Sequence, residues 1–300
     1  MARKWGYEKK GVEPNQASIV MANGCFWGRS ITACSGSDDP TRYTNFGPYT
    51  PGFPLVDFDD LGQLEAYFKS DPNCVGVMLE AIQGEGGVVI PQDGYLKGVR
   101  ELCDKYNCLL ISDEVQTGWG RTGKMMGYNW DLGDDLQPDI VTLGKAVSGG
   151  VTPVSGIVAK EHAMEVIRPG DHGSTYGGNA LGMAIARAAV GVIVDEGLVE
   201  NSAAMGAIMK QRFDAFNCDL IRENRMRGLF AGMDFHQGLA VDGNDMAEIL
   251  IGNGLITKAT HSTCVRFAPP LTITETEVHE ACDIIEKSLH DLEKLNAERS

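Results

Sequence analysis

The 300-residue chain has no apolar run near the length needed to cross a bilayer, so no part of it is expected to insert into lipid. It has no surplus of positive charge. Twenty-six basic residues stand against 41 acidic ones, a net charge of −15, and no local basic patch offsets it, which argues against nucleic acid and anionic membrane surfaces as partners. Its eight cysteines (Cys25, Cys34, Cys74, Cys103, Cys108, Cys218, Cys264 and Cys282) form no CxxC pair, and its six histidines do not cluster with them. A zinc site is excluded on that spacing, and no other metal is expected; free thiols in a reducing compartment fit best. No secretory signal or transit peptide opens the chain, which begins "MARKWGYEKKG" as if already inside an amphipathic helix. The expected location is cytoplasmic, with the mitochondrial matrix left open because an import signal would precede Met1. Internal repeats and low-complexity linkers are missing too. "GEGGVV" does not have the GxGxxG spacing that opens a dinucleotide-binding helix, and "GKAVSGG" lacks the hydroxyl and upstream glycine of a phosphate-binding P-loop.

What is present is a repeating alternation. Short apolar runs, "ASIVMANG", "CVGVMLEA", "CLLISDE", "DIVTLGK" and "VSGIVAK", read as strands ending in glycine or polar residues. Between them lie helical patterns, clearest over 92–108, where Leu96, Val99, Leu102, Cys103 and Tyr106 recur at helical spacing with charges opposite. Strands alternating with helices predict an α/β fold with a mainly parallel sheet covered on both faces. The stretch from Asn179 to Val199, rich in alanine, glycine and valine, reads as a helix packed tightly on both sides. Past residue 197 the texture changes to a long helix through "NSAAMGAIMKQRFDAF", short strands around "GLFAGMDF" and "CVRFAPP", and a charged amphipathic helix from about Glu275 to the end. The expected division is a large domain over 1–197 and a smaller α+β domain over 198–300.

In open α/β sheets ligands bind beyond the carboxyl ends of the strands. Four of the expected strands deliver chemistry there: Asp113 after "LLIS", Glu80 and Glu85 after "VMLE", Phe26, Trp27 and Arg29 after "IVMA", and Lys145 after "IVTL". A lysine in such a place is ordinarily a solvated side chain, but the glycine before Lys145 and "AVSGG" after it clear space for a planar group to approach the backbone. A lysine in an apolar site loses its proton more readily and attacks carbonyl carbons. Asp113 could be a helix N-cap. A carboxylate and a lysine at neighbouring strand ends are equally what pyridoxal phosphate requires, one to keep the ring nitrogen protonated and the other to engage the aldehyde. Gln116 has an amide suited to a phenolic oxygen, and Phe26 or Trp27, most simply read as core, could stack on a flat ring.

"SDEVQTGWGRTG", "TLGKAVSGG" and "HGSTYGGNALG", in this order, resemble the class III (fold type I) pyridoxal-phosphate aminotransferases. "NGCFWGRS", "NFGPYTPGF", "LEAIQGEGGVVIP" and "VRFAPPL" are similar to the ornithine-using branch more than to members acting on acetylornithine or 4-aminobutyrate. The resemblance implies the aspartate-aminotransferase-like large domain with a small carboxyl-terminal domain, and a homodimer. It implies that Lys145 joins the cofactor aldehyde covalently, Asp113 pairs with the ring nitrogen, Gln116 contacts the ring hydroxyl, Val115 packs beneath the ring and Phe26 above it. Ser174 and Thr175 match the pair that reaches a partner subunit's cofactor phosphate. Arg29 matches the arginine for the ornithine α-carboxylate, Arg266 the arginine for the α-carboxylate of glutamate or 2-oxoglutarate, and Glu85 the switch that masks Arg266. Ala81 and Ala259 stand where the family commonly has proline. The family also carries a long segment, with the cofactor's phosphate cradle, before the residues that match "ARKWGY", so the chain corresponds to the carboxyl-terminal two thirds. The implied activity is amino transfer from ornithine to 2-oxoglutarate; the alternatives are another member of the family or a non-catalytic fragment.

Overall fold

The computed structural model describes residues 1–300, which group into two compact units. The first comprises Met1–Ala81, Pro91–Gln116 and Tyr128–Gly191; the second comprises Ile82–Ile90, Thr117–Gly127 and Val192–Ser300. Two segments upstream of residue 197 thus belong with the carboxyl-terminal part of the chain.

The first unit is built on six strands: β1 (Ser18–Ala22), β2 (Leu55–Val56), β3 (Cys74–Glu80), β4 (Leu109–Asp113), β5 (Ile140–Leu143) and β6 (Gly156–Ala159). Their order is β2-β1-β3-β4-β5-β6, parallel except for β6, which runs antiparallel to β5. Every residue of β3 is buried, as expected for a central strand covered on both faces, and this explains its unbroken apolar sequence "CVGVML". The helix Tyr95–Tyr106 buries Leu96, Val99, Arg100 and Cys103. It ends at Asn107, whose left-handed conformation (φ 50°) closes the helix and turns the chain into β4. Leu96, Val99 and Cys103 join Val77, Leu79, Leu110, Leu64 and Phe68 in one apolar cluster. Each such fully buried side chain stabilises the fold by about 1.5–3 kcal/mol.

The helix expected from Asn179 runs over Ala180–Asp195, and a separate helix, Leu198–Asp214, begins after Gly197. The expectation of tight packing on both sides is corrected. Leu181, Met183, Val192 and Val194 are exposed, because an apolar composition all round states what a helix prefers to bury and not what the same chain supplies to cover it.

In the second unit β7 (Ile221–Arg227), β8 (Phe230–Phe235), β9 (Lys258–Thr260) and β10 (Cys264–Phe267) form an antiparallel sheet of order β7-β8-β10-β9. Strands β8 and β10 were expected; β7, with the polar sequence "IRENRMR", and β9 were not. The helix Glu275–Arg299 starts at a reciprocal cap in which the Thr274 hydroxyl accepts from the Glu277 amide and Glu277 accepts from the Thr274 amide. Its buried Val278, Cys282, Ile285, Leu289 and Leu292 meet Phe213, Leu229, Met233, Phe235, Met246 and Phe267 in the unit's core. All eight cysteines are free thiols, no cluster of side chains is arranged to hold a metal ion, and no helix is long and apolar enough to cross a membrane.

Candidate active site

Parallel pairing carries the ends of β1, β3, β4 and β5 to one edge of the first unit's sheet. Asp113, the last residue of β4, is 7% exposed. Its Oδ1 accepts from the Thr142 hydroxyl at 3.0 Å and from the Val115 amide at 3.0 Å. Thr142 is its partner across the β4–β5 ladder, so both side chains stand on one face of the sheet. Burial pushes the Asp113 carboxyl above its usual range, while the two hydrogen bonds and the positive charge of Lys145 pull it back. The carboxylate and the lysine are therefore electrostatic neighbours, as the strand ends suggested.

Lys145 lies three residues beyond Thr142, exposed, at the start of a 3-10 turn (Lys145–Ser148), and it adopts φ +44°. An L-residue seldom takes that conformation, and here the turn holds it: the Ser148 hydroxyl donates to the Lys145 carbonyl at 2.9 Å. A Cβ at Gly144 would come within 3.3 Å of the Val115 side chain, so glycine lets the residue before the lysine pass close over Val115. Val115 and Gln116 are half-buried immediately past Asp113.

At the end of β1 the Phe26 amide donates to Glu80 Oε1 at 3.0 Å, anchoring the aromatic to the last residue of β3. Two guanidinium groups flank its ring, Arg42 with Cζ 4.9 Å from the centroid and Arg29 at 5.6 Å. Arg42 is buried, donates to the Cys25 carbonyl and pairs with Asp39. The Cys25 thiol is pushed up to about 12 by burial and then by the charge of Glu80, which makes it inert. Arg29 is exposed. Ser174 and Thr175 lie on an exposed turn, where the Ser174 hydroxyl accepts from the Gly177 amide. Thr142 and Arg42 were not singled out from the sequence. Strand register would have found Thr142; nothing local marks Arg42.

The second unit holds a charge pair of its own, Arg266 Nη1 to Glu85 Oε1 at 2.7 Å, both side chains largely buried. Arg266 sits on β10 and Glu85 on the turn between Gln83 and Val89, which pair with each other through two backbone hydrogen bonds of 3.0 Å.

Residues 1–289 match the family described as aminotransferase class-III. The chain belongs to that family. It is 47% identical over 289 residues to the mitochondrial ornithine aminotransferase of Drosophila melanogaster, covering 96% of this chain and 66% of the fly protein. To the ornithine aminotransferase of Oceanobacillus iheyensis it is 46% identical over 288 residues, 96% of this chain and 70% of that protein. The crystal structure of the Toxoplasma gondii ornithine aminotransferase, described as having partial occupancy of PLP at its active site, matches with a TM-score of 0.94 and 43% identity, over 99% of this chain and 70% of that one. The chain thus spans about two thirds of the length of these relatives.

Class-III aminotransferases are pyridoxal-phosphate enzymes, and the residues of the first unit fit the ring end of that group. Asp113 is a buried carboxylate already held in one orientation by two donors, which suits it to a protonated ring nitrogen. The lysine at the neighbouring strand end is close enough to bias its proton affinity.

Proposed function

We propose that the protein transfers the δ-amino group of L-ornithine to 2-oxoglutarate, giving glutamate 5-semialdehyde and glutamate, with pyridoxal 5′-phosphate as cofactor. The observation that carries this reading is the junction of β4 and β5, where Thr142 orients a buried Asp113 within electrostatic reach of Lys145. In this reading Asp113, Val115, Gln116, Phe26 and Lys145 hold the cofactor, and Ser174 and Thr175 of one copy serve the cofactor phosphate of a second copy in a homodimer. When bound, the cofactor supplies an electron sink for the carbon that exchanges its amine. Asp113 keeps the ring nitrogen protonated, and Lys145 Nζ moves the proton at the reacting carbon as general base.

The choice of ornithine rests on the Glu85–Arg266 pair and on the similarity to ornithine aminotransferases. Arg29 takes the α-carboxylate of ornithine. Arg266 takes a carboxylate of the 2-oxo acid, and Glu85 competes with it for the guanidinium, so one arginine serves an anionic substrate without attracting anions in the ornithine step. The test is to mix protein, cofactor, ornithine and 2-oxoglutarate and to assay the semialdehyde, with Lys145→Ala as control. Turnover only with acetylornithine or 4-aminobutyrate refutes the substrate assignment. A colourless preparation unaffected by Lys145→Ala supports the non-catalytic alternative.

A further inference from the structure

We propose that Arg225 is a positioning residue for the Glu85–Arg266 pair, acting by clamping the turn that carries Glu85. The inference rests on the assignment of that pair to substrate discrimination.

Arg225 on β7 and Arg266 on β10 are both direct cross-strand partners of Gly232 on β8. Cross-strand partners point to the same face of an antiparallel sheet, so the two arginines flank a gap where the central residue has no side chain. The turn Gly84–Val88 fills that gap. A Cβ at Gly232 would lie 2.8 Å from the Gly87 carbonyl oxygen and 3.0 Å from Val88 Cβ. Glycine is therefore required at 232 for the turn's backbone to rest on the sheet.

The two guanidinium groups then grip the turn from opposite sides. Arg225 donates to the Gly87 carbonyl from Nη2 at 2.8 Å and from Nε at 3.2 Å, and from Nε to the Val88 carbonyl at 3.2 Å. Arg266 meets Glu85 Oε1 at 2.7 Å and the Gly84 carbonyl at 3.5 Å. Arg225 is itself held by Asp234 Oδ2 at 2.9 Å and Glu223 Oε2 at 2.7 Å; Asp234 is buried and also pairs with Arg222. The turn needs such a clamp. Gly87 and Val88 both have positive φ, +103° and +55°, and for the β-branched Val88 that conformation persists only where its surroundings impose it. A guanidinium whose fork is already aimed by two carboxylates provides the constraint with little further loss of side-chain freedom. Glu85, two residues before Gly87, is thereby delivered to Arg266 without searching.

Loosening the clamp weakens Glu85 as a competitor for Arg266, so the dicarboxylate should bind more easily and discrimination against anionic substrates should fall. The experiment compares wild type with R225M, R225K, E85Q and the double variant R225M/E85Q, with thermal melting as a check on folding. Two quantities are read: the KM for 2-oxoglutarate relative to the KM for ornithine, and hydrogen exchange at the Val89 amide, which closes the turn onto the Gln83 carbonyl. R225M is expected to lower the KM ratio by about three- to tenfold, the loss of one or two charge-assisted hydrogen bonds, and to speed Val89 exchange at least as much. R225K should fall between. In the E85Q background R225M should leave the ratio unchanged, because the residue through which it acts is already neutral. An unchanged ratio and exchange rate in R225M, or an equal effect of R225M with and without Glu85, overturns the proposal. If E85Q itself leaves the ratio unaltered in an active protein, the discriminating role of Glu85 fails. The exchange rate then decides the clamp alone: faster exchange in R225M upholds it and equal exchange overturns it.

Discussion

Replacing Asp113 by asparagine separates two effects that a simple structural residue would move together. The amide keeps the shape and an oxygen to accept from Thr142 and Val115, but it abolishes the charge. In the folded protein burial raises the carboxyl above its unfolded value near 3.8. An acid whose folded-state affinity for protons is raised contributes most to stability when protonated, below pH 3.8, and loses that contribution as pH rises through the raised value. At pH 7 the wild-type carboxylate therefore opposes folding, and every tenfold weakening of the acid on burial is worth about 1.4 kcal/mol. Each 1 kcal/mol corresponds to about 2–4 °C in melting temperature for a chain somewhat shorter than this one. The cofactor-free Asp113→Asn protein should accordingly melt higher than wild type at pH 7, with the difference closing as pH falls toward 4. Turnover should meanwhile fall by about 10²- to 10³-fold, the usual cost of removing a preorganised electrostatic partner. Scanning fluorimetry between pH 4 and 8 and semialdehyde assays measure both. A variant that melts lower at pH 7, or that turns over at the wild-type rate, refutes the argument that a buried, destabilising charge is retained for chemistry.

Thr142→Val removes a donor to the charged form of Asp113, so the carboxyl should titrate still higher and the acid limb of the activity profile should move to higher pH; an unmoved limb contradicts the assigned contact. Phe213→Ala empties a fully buried site where the ring packs edge-on against Phe267, with centroids 5.4 Å apart, and should cost about 3–5 kcal/mol in denaturant unfolding. Gly206→Ala places a Cβ 2.3 Å from the Gly228 carbonyl oxygen, and overpacking against backbone should cost about 1–3 kcal/mol or more, read as a lower melting temperature.

The alternation of apolar runs and helical spacings in the first half was legible because strand and helix periodicities are local. β1, β3, β4, β5 and β6 each lie within a run recognised from sequence, and the helices Tyr95–Tyr106 and Glu275–Arg299 lie where their spacing put them. Strand β7 was not legible, since "IRENRMR" has neither an apolar run nor clean alternation and is a strand only because β8 pairs with it. The antiparallel direction of β6 and the exposure of Leu181 and Val194 are likewise properties of what lies alongside them.

For the candidate site, residue type and strand-end placement were enough to select Asp113 and Lys145, because a carboxylate and a lysine ending adjacent apolar strands must emerge on one edge of a parallel sheet. Only the tertiary structure decided that Thr142 orients Asp113, that Arg42 and Arg29 flank Phe26, and that Arg225, Gly232 and Arg266 stand in one row beneath a turn that comes 138 residues before Arg225. Propensity and periodicity act over a few residues and are written in the local sequence. Register across strands and contacts between distant segments arise when the whole chain closes on itself, and they are written only in its pairing.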